Sequence, residues 1–330
     1  MKTACIYHSI DQDGYMSAAI VEHWFNQQEV PNKQGEDCNT INFIGYNYGQ
    51  PTPDLEEYDK VIMVDVSFNM SEMTRLSHEL GNNFIWIDHH ISSINEWNKV
   101  IEPNPNNWYI GGIRDTKYAA CELTWKYFFP NEEMPEIVRL LGRYDCFGHK
   151  GTDEEFKVLE FQYGARQCIS NYEDAYNYLT NSILESRRNS GNAGHPYYNS
   201  IINDIYNTGV SIYRYLCIEA KEVYKNRFNI IFKSTPKDGS CGIALYKFIC
   251  INKERFNPIN FGIDYHKDEY DGCACFHYDG VAKLWRFSLY NDNGLVDCSI
   301  IAKQYGGGGH RGAAGFVLNN EEFYKLINNK

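Results

Sequence analysis

No stretch of this 330-residue sequence approaches the roughly 20 consecutive apolar residues that a membrane-spanning helix requires. The sequence also shows no secretory leader, because Met1 runs directly into a short strand pattern. We therefore expect a soluble, cytoplasmic protein without a membrane partner.

The sequence has no surplus of basic residues. Lysine and arginine number 31 against 43 aspartates and glutamates, which gives a formal net charge of -12. Proteins that bind long duplex nucleic acid usually carry a basic face, because neutralising phosphates provides much of the affinity. The charge argues against extended duplex binding. It permits a short oligonucleotide held by a few local cations and metal ions.

The 11 cysteines include no CxxC pair, and the two closest are Cys273 and Cys275. Their odd number and irregular spacing favour reduced thiols over a disulfide framework.

In the first half of the chain, short apolar runs alternate with helical patterns. This alternation predicts an α/β fold with a doubly wound, mainly parallel sheet, in which ligands bind at the carboxyl ends of the strands. The predicted strands are Thr3–Tyr7, Val61–Val64 and Phe84–Ile87, and the predicted helices are Met16–Phe25, Ser71–Leu80, Lys117–Phe128 and Glu132–Leu141.

The length suggests two domains. We predict a first domain over residues 1–190, a linker and connecting helix over 191–228, and a smaller α/β domain over 229–330. The patterns that support the second half are a helix over 198–228, strands Ile230–Phe232, Ile243–Ile251 and Val281–Leu289, and a helix Cys298–Gln304.

A histidine and two aspartates follow the first strand within six residues, as His8, Asp11 and Asp13. Imidazole and carboxylate together suit Mn²⁺, Mg²⁺, Fe²⁺ or Co²⁺ better than metals that prefer sulfur ligands. Gly14 would let the backbone turn sharply into the helix. The alternative is an ordinary aspartate-rich turn that caps Met16–Phe25.

Further acidic and histidine residues follow the other strands. Asp65 ends the second strand, Asp88-His89-His90 ends the third, and Asp145 follows a later helix. At one edge of a sheet such carboxylates would repel one another unless cations held them together. Taken singly, Asp65 could be a turn former or helix cap, and Asp145 could pair with Arg143.

Four glycines, Gly306–Gly309, precede His310 and Arg311. Glycines permit positive φ angles, so successive N–H groups could form an anion-binding nest. The alternative is a tight loop between a helix and a strand.

The motifs occur in the order HxxDxDG, an aspartate after a strand, Asp-His-His, Arg-Tyr-Asp and GGGGHRGAAG. This order, which extends from Tyr7 to Phe316, resembles the DHH phosphoesterases that carry a C-terminal DHHA1 domain. Within that family the motifs are most similar to the short-oligoribonuclease (nanoRNase) branch.

The resemblance implies a role for each motif residue. Two divalent metal ions are implied, with Mn²⁺ expected and Mg²⁺ or Co²⁺ as alternatives, and Asp65 would bridge both. The remaining ligands would be His8 and Asp11 for one ion, and Asp13, His89 and Asp145 for the other. His90 would contact the reacting phosphate, and Asp88 would orient the histidines.

In the second domain the resemblance implies that His310 and the backbone of Gly307, Gly308 and Gly309 hold a substrate phosphate, with Arg311 nearby. Two departures from the family pattern stand out. Asp11 follows its histidine by three residues where many relatives have four. Relatives often carry an arginine at the position of Tyr290; Arg286 or Lys283 could supply the missing charge.

These residues predict two-metal-dependent hydrolysis of phosphodiester bonds in short oligonucleotides, dinucleotides or related small nucleotide phosphates, with the substrate in the cleft between the domains. One alternative is an inorganic pyrophosphatase or polyphosphatase. The other is a nucleotide-binding module without turnover. The sequence leaves homodimer formation open.

Overall fold

The computed structural model describes residues 1–28, 39–102, 110–189, 200–234 and 242–328. The chain divides into two compact units, a first unit Met1–Ile212 and a second unit Tyr213–Lys330. The division falls within a long helix, α8 (Ser200–Lys225). The boundary predicted at residue 190 stays a prediction, and residues 191–199 of the predicted linker lie outside the described residues.

The first unit contains a four-stranded parallel sheet with the strand order β2-β1-β3-β4. The chain runs from β1 to β2 on one side and then crosses back to β3 on the other side of β1, so the strand order reverses between β1 and β3. Ligands bind outside the strand ends at such points. The strands are β1 (Lys2–His8), β2 (Thr40–Tyr46), β3 (Lys60–Val64) and β4 (Phe84–Ile87).

Helices cover both faces of this sheet. On one face, α2 and α3 pack against β3 and β4 through residues such as Met73 and Trp97. On the other face, α1 and α4 contribute Val21 and Leu123. The predicted doubly wound α/β fold is therefore confirmed. The helices are α1 (Gln12–Gln28), α2 (Met70–Leu80), α3 (Ile91–Ile101), α4 (Ala120–Phe128), α5 (Glu136–Asp145), α6 (Glu155–Cys168), α7 (Tyr172–Asn189) and α8.

The second unit contains a six-stranded sheet with the order β5-β6-β7-β8-β10-β9. Only β6 and β7 pair in parallel; the other described pairs are antiparallel. Helices α9 and α10 pack on it through Ile301 and Phe323. The elements are β5 (Phe228–Ser234), β6 (Ala244–Asn252), β7 (Gly272–Asp279), β8 (Leu284–Tyr290), α9 (Cys298–Gln304), β9 (Gly308–Gly309), β10 (Ala313–Leu318) and α10 (Asn320–Asn328).

Two predicted elements differ from the structure for local reasons. The strand predicted over Val281–Leu289 begins only at Leu284, because the Asp279 carboxylate accepts the N–H groups of Val281 and Ala282 and closes a hairpin turn. The helix predicted over Glu132–Leu141 begins at Glu136, after Pro135, and continues to Asp145.

Two further expectations concern the thiols and the membrane. The nine cysteines within the described ranges are all free thiols, as their spacing predicts. Among the described residues, no helix combines the length and apolarity that crossing a membrane requires.

Candidate metal centre

The candidate site lies at the carboxyl ends of β1, β3 and β4. Parallel pairing places Tyr7 opposite Val64, and Val64 opposite Ile87, so the residues that follow these positions lie at one edge of the sheet. His8 is the last residue of β1, Asp65 follows β3, and Asp88 follows β4.

Two groups of side chains converge there, and within each group the possible ligand atoms lie within 4.8 Å of one another. In the first group, His8 Nδ1 lies 3.7 Å from Asp11 Oδ2 and 3.4 Å from Asp65 Oδ2. In the second, His89 Nε2 lies 3.7 Å from Asp13 Oδ2 and 3.2 Å from Asp145 Oδ2.

Asp65 joins the two groups. Its Oδ2 atom faces His8, and its Oδ1 atom lies 3.4 Å from His89 Nε2. A third group consists of Asp65, His89 and His90. The structure therefore brings together all six residues that the resemblance implies as metal ligands.

Asp65 is nearly fully buried and has a φ of 60°, in the left-handed region that costs most side chains about 1–3 kcal/mol. Its N–H donates to the Ile87 carbonyl at 2.9 Å, which ties the strained residue to β4. Asp65 does not cap the following helix, because Asn69 caps α2 through the N–H of Glu72. The strained conformation instead directs the carboxylate toward the histidines.

Asp88 holds the Asp-His-His segment in place. It is fully buried, and its Oδ1 atom accepts the N–H groups of His89 at 2.7 Å and His90 at 3.0 Å. The same oxygen lies 2.7 Å from His90 Nδ1, and Trp86 Nε1 donates to Oδ2 at 3.2 Å. Burial alone would lower the pKa of His90, but the Asp88 carboxylate raises it to about 9.

The aspartates after β1 also stabilise helix ends. Asp11 Oδ1 accepts the N–H of Gly14 at 3.2 Å, so Asp11 caps α1 while its Oδ2 atom faces His8. Asp13 lies inside α1 and accepts the N–H groups of Ala120 at 2.9 Å and Cys121 at 2.7 Å. Asp13 therefore caps α4 rather than α1.

Gly14 allows the tight connection from β1 into α1 in a different way from a positive φ angle. It lies in α1 and its φ angle is not positive. A Cβ atom at this position would lie 1.9 Å from the carbonyl oxygen of His8. The glycine is required because α1 passes directly against the end of β1.

Asp145 is the last residue of α5, where the helix dipole disfavours a negative charge. Within the described residues, its ion-pair partner is His89 rather than Arg143. An acidic group in this position needs a cation beside it, which His89 or a metal ion can supply.

Burial and neighbouring carboxylates perturb the acidic side chains. Burial, followed by the charges of Asp65 and Asp145, raises the pKa of Asp13 well above its ordinary value. Burial would also raise the pKa of Asp65, but the neighbouring imidazoles of His8 and His89 hold that pKa below its ordinary value.

The residues fit divalent metal ions. His8 Nδ1 and Asp65 Oδ1 are buried and make no hydrogen bond, although buried polar atoms normally have a partner. Imidazole nitrogen and carboxylate oxygen are suitable ligands for ions such as Mn²⁺ and Mg²⁺. A metal ion would satisfy both atoms and neutralise the clustered carboxylates.

Two residues that were not predicted lie close to this site. The ring of Tyr48 is centred 5.9 Å from that of His8 and 6.0 Å from that of His90. Tyr48 follows β2, which no apolar pattern revealed, so the sequence offered no signal for its position. The other residue is Arg166, whose guanidinium lies over the Tyr144 ring and whose Nη2 atom donates to the Tyr144 hydroxyl at 3.1 Å.

In the second unit, the glycine run forms β9 and its flanking turns. The N–H of Gly307 donates to Ala302, and that of His310 donates to Ala313. A nest of successive unbonded N–H groups is therefore not formed at these two positions. Gly307 is required because a Cβ atom there would lie 2.0 Å from the Gly315 carbonyl oxygen.

Two arginines of the second unit have local partners. Arg311 Nη2 donates to the Gly294 carbonyl at 3.2 Å, and Arg286 Nε donates to Asp279 at 2.8 Å. The substrate-binding roles of Gly307–Gly309, His310 and Arg311 stay predictions.

The comparisons with known proteins begin with the family. Residues 3–141 match the family model for the DHH family, N-terminal domain. An uncharacterized protein of Acanthamoeba polyphaga mimivirus is 25% identical over 334 residues, which cover 95% of this chain and 67% of that protein.

Two solved structures align with almost all of this chain. A pGpG-specific phosphodiesterase, PggH of Vibrio cholerae, is 13% identical with a TM-score of 0.38, and the match covers 99% of this chain and 96% of that one. Exonuclease RecJ bound to manganese is 12% identical with a TM-score of 0.48, and the match covers 99% and 88%. The family match includes β1, β3 and β4 with the candidate ligand residues that follow them, so residues 3–141 are similar to the N-terminal domain of the DHH family.

Proposed function

We propose that this protein is a two-metal-dependent phosphoesterase that hydrolyses phosphodiester bonds in short oligonucleotides, dinucleotides or related small nucleotide phosphates. The observation that carries the proposal is the position of Asp65, whose two oxygens each lie 3.4 Å from a histidine of a different ligand group. A carboxylate shared in this way is suited to bridging two metal ions.

His8 and Asp11 would hold one ion, and Asp13, His89 and Asp145 the other, with Asp65 shared. A pair of divalent ions makes water nucleophilic near neutral pH and neutralises charge on the phosphoryl oxygens. Mn²⁺ is the expected metal, with Mg²⁺ or Co²⁺ as alternatives. No protein nucleophile is needed for such a reaction.

His90 is the residue we assign to the reacting phosphate. Asp88 fixes its ring through Nδ1, and the Asp88 carboxylate raises the pKa of His90, which favours the protonated imidazole. When water adds to phosphorus and the bond to the leaving oxygen breaks, that oxygen needs a proton. A protonated His90 can donate to the phosphate or supply this proton.

We further propose that the second unit is a DHHA1 domain of the short-oligoribonuclease type, in which Gly307–Gly309, His310 and Arg311 hold a phosphate of the substrate. Binding energy from this second phosphate would orient the scissile bond.

The test is a turnover panel of metals and substrates. Purified wild type, Asp65→Asn and the control Asp153→Asn would be incubated with Mn²⁺ or Mg²⁺ and a dinucleotide, a five-nucleotide RNA, a cyclic dinucleotide, a nucleoside 3′,5′-bisphosphate or pyrophosphate. Asp153 is an exposed aspartate that belongs to none of the candidate ligand groups. We expect wild type and Asp153→Asn to cleave the dinucleotide and the RNA when metal is present.

The Asp65→Asn substitution keeps the side-chain shape but removes the bridging charge. We expect its turnover to fall at least 1000-fold, because losing a single group that stabilises charge in the transition state already lowers kcat by up to about 1000-fold. Faster release of phosphate from pyrophosphate than from any nucleotide would favour a pyrophosphatase. Nucleotide binding without any turnover would identify a binding module.

A further inference from the structure

Tyr48 occupies a position beside the metal centre that no motif revealed. It lies in the loop after β2, and its ring meets those of His8 and His90 edge-on, at interplanar angles of 62° and 75°. These histidines belong to different parts of the site, one in a ligand group and the other assigned to the reacting phosphate. Tyr48 therefore lies next to the place where a phosphate would bind.

The two ends of the Tyr48 side chain have different surroundings. Its phenol interacts with the hydroxyls of Ser67 and Ser93, which are buried and hydrogen-bonded to each other at 2.8 Å. Burial raises the pKa of Tyr48, so the phenol stays neutral and is unsuited to proton transfer at neutral pH. The residue as a whole is nevertheless 50% exposed.

Tyr46, two residues earlier, shows the ordinary structural use of a tyrosine in this segment. It is only 7% exposed, and its ring packs edge-on against Phe68 at 4.8 Å. Tyr48 instead is half-exposed, with its ring in contact with the metal-site histidines. An exposed ring held against two other rings loses little conformational freedom when a flat ligand stacks on it.

We propose that Tyr48 stacks on the nucleobase of the substrate nucleotide whose phosphate lies at the metal centre, and so selects nucleotide phosphates over pyrophosphate. This inference rests on the proposed function. Because every base has a π face, stacking detects the presence of a base rather than its identity. We therefore expect this position to favour nucleotides of any sequence.

The test compares a dinucleotide with the same phosphodiester lacking both bases, using wild type, Tyr48→Leu, Tyr48→Phe and the control Tyr215→Leu with Mn²⁺. Leucine removes the ring but stays apolar, and phenylalanine keeps the ring without the hydroxyl. Tyr215 is a 66% exposed tyrosine on α8. Circular dichroism and bound manganese would be measured for each variant before kcat and KM.

The quantity measured is the ratio of kcat/KM for the dinucleotide to that for the abasic diester. In Tyr48→Leu we expect this ratio to fall roughly 5- to 150-fold, mainly through KM, as for the loss of one base–aromatic stack. Tyr48→Phe should keep most of the ratio, and Tyr215→Leu should keep all of it. In wild type, a dinucleotide containing 2-aminopurine should lose fluorescence on binding as the base stacks.

Three outcomes would overturn the inference while leaving the proposed function in place. In the first, Tyr48→Leu loses kcat/KM equally on the dinucleotide and on the abasic diester. In the second, Tyr48→Phe loses as much of the kcat/KM ratio as Tyr48→Leu does. In the third, 2-aminopurine fluorescence is not quenched in the bound complex. The first would mean that the ring only supports the histidines. Wild type that cleaves neither substrate would overturn the proposed function itself.

Discussion

At the residue scale, the acidic side chains of the metal centre oppose the folding of the metal-free protein. Asp13 and Asp145 lie close to Asp65, and burial raises the pKa of each of the first two. His8 and His89 offset part of the repulsion because each lies 3.4 Å from an oxygen of Asp65. The same carboxylates would become stabilising if divalent cations bound between them, as proposed above.

Asp145→Asn should therefore raise the free energy of unfolding of the metal-free protein and lower that of the metal-bound protein. Because the pKa of Asp145 is raised in the folded state, its ionisation destabilises the folded protein as the pH rises through that folded pKa. At neutral pH without metal, we expect the substitution to raise the free energy of unfolding by on the order of 1 kcal/mol.

With saturating Mn²⁺ the Asp145→Asn variant should be less stable than wild type, because a ligand is lost. Urea unfolding in EDTA and in Mn²⁺ measures both effects. A variant less stable than wild type in both conditions would show that Asp145 is a structural residue.

Asp88→Asn tests how His90 is positioned. The asparagine keeps an oxygen for the backbone N–H groups but loses the charge that raises the pKa of His90 to about 9. We expect turnover to fall about 10- to 100-fold, as for other residues that orient a metal-site histidine.

The pH profile makes this prediction specific. Since the pKa of His90 should fall toward its ordinary value, activity that needs protonated His90 should disappear at lower pH in Asp88→Asn than in wild type. A profile that keeps the wild-type alkaline limb would contradict the role given to Asp88.

At the element scale, two helices of the first unit pack backbone against backbone. A Cβ atom on Gly164 of α6 would lie 1.9 Å from the Ile205 carbonyl oxygen, and one on Gly209 of α8 would lie 1.7 Å from that of Glu160. Glycine at both positions allows this approach. Any side chain would force the helices apart and disturb the apolar core beside them.

Gly209→Ala should destabilise the first unit by about 1–3 kcal/mol or more, the usual cost of overpacking. The control is Gly280→Ala in the hairpin between β7 and β8, where no atom lies within 4 Å of an added Cβ. Denaturant unfolding of both variants measures the difference. Equal stabilities would show that α6 and α8 can separate without cost.

At the scale of the whole molecule, metal binding should be linked to protons. The chain carries a net charge of -12, and the metal-free site raises the pKa of His89 and Asp13 well above their ordinary values. Metal ions need these groups without protons, so the protons must leave when Mn²⁺ binds.

We expect the apparent affinity for Mn²⁺ to increase with pH above neutrality, with release of protons. Isothermal titration calorimetry in two buffers of different ionisation enthalpy measures the number released. The same binding heat in both buffers would show that no proton leaves and that these groups do not bind the metal.

The elements that the sequence revealed are those with unbroken apolar patterns. Val61–Val64 and Phe84–Ile87 are buried strands of the central sheet. Asp65 and Asp88 are the residues that directly follow them, so the predicted strand ends gave the positions of both aspartates. β2 was missed because it is an edge strand with half-exposed positions, which leave no apolar run to recognise. Tyr48 was missed with it.

The sequence by itself determined the parallel sheet of the first unit and which residues are candidate ligands, because buried strands and the polar residues that end them are local features. Only the tertiary structure decided that Asp13 caps α4, more than 100 residues away, and that Asp65 faces both His8 and His89. Such contacts depend on how distant elements pack. A local pattern can identify a candidate ligand residue, whereas the packing of distant elements decides which residues surround it.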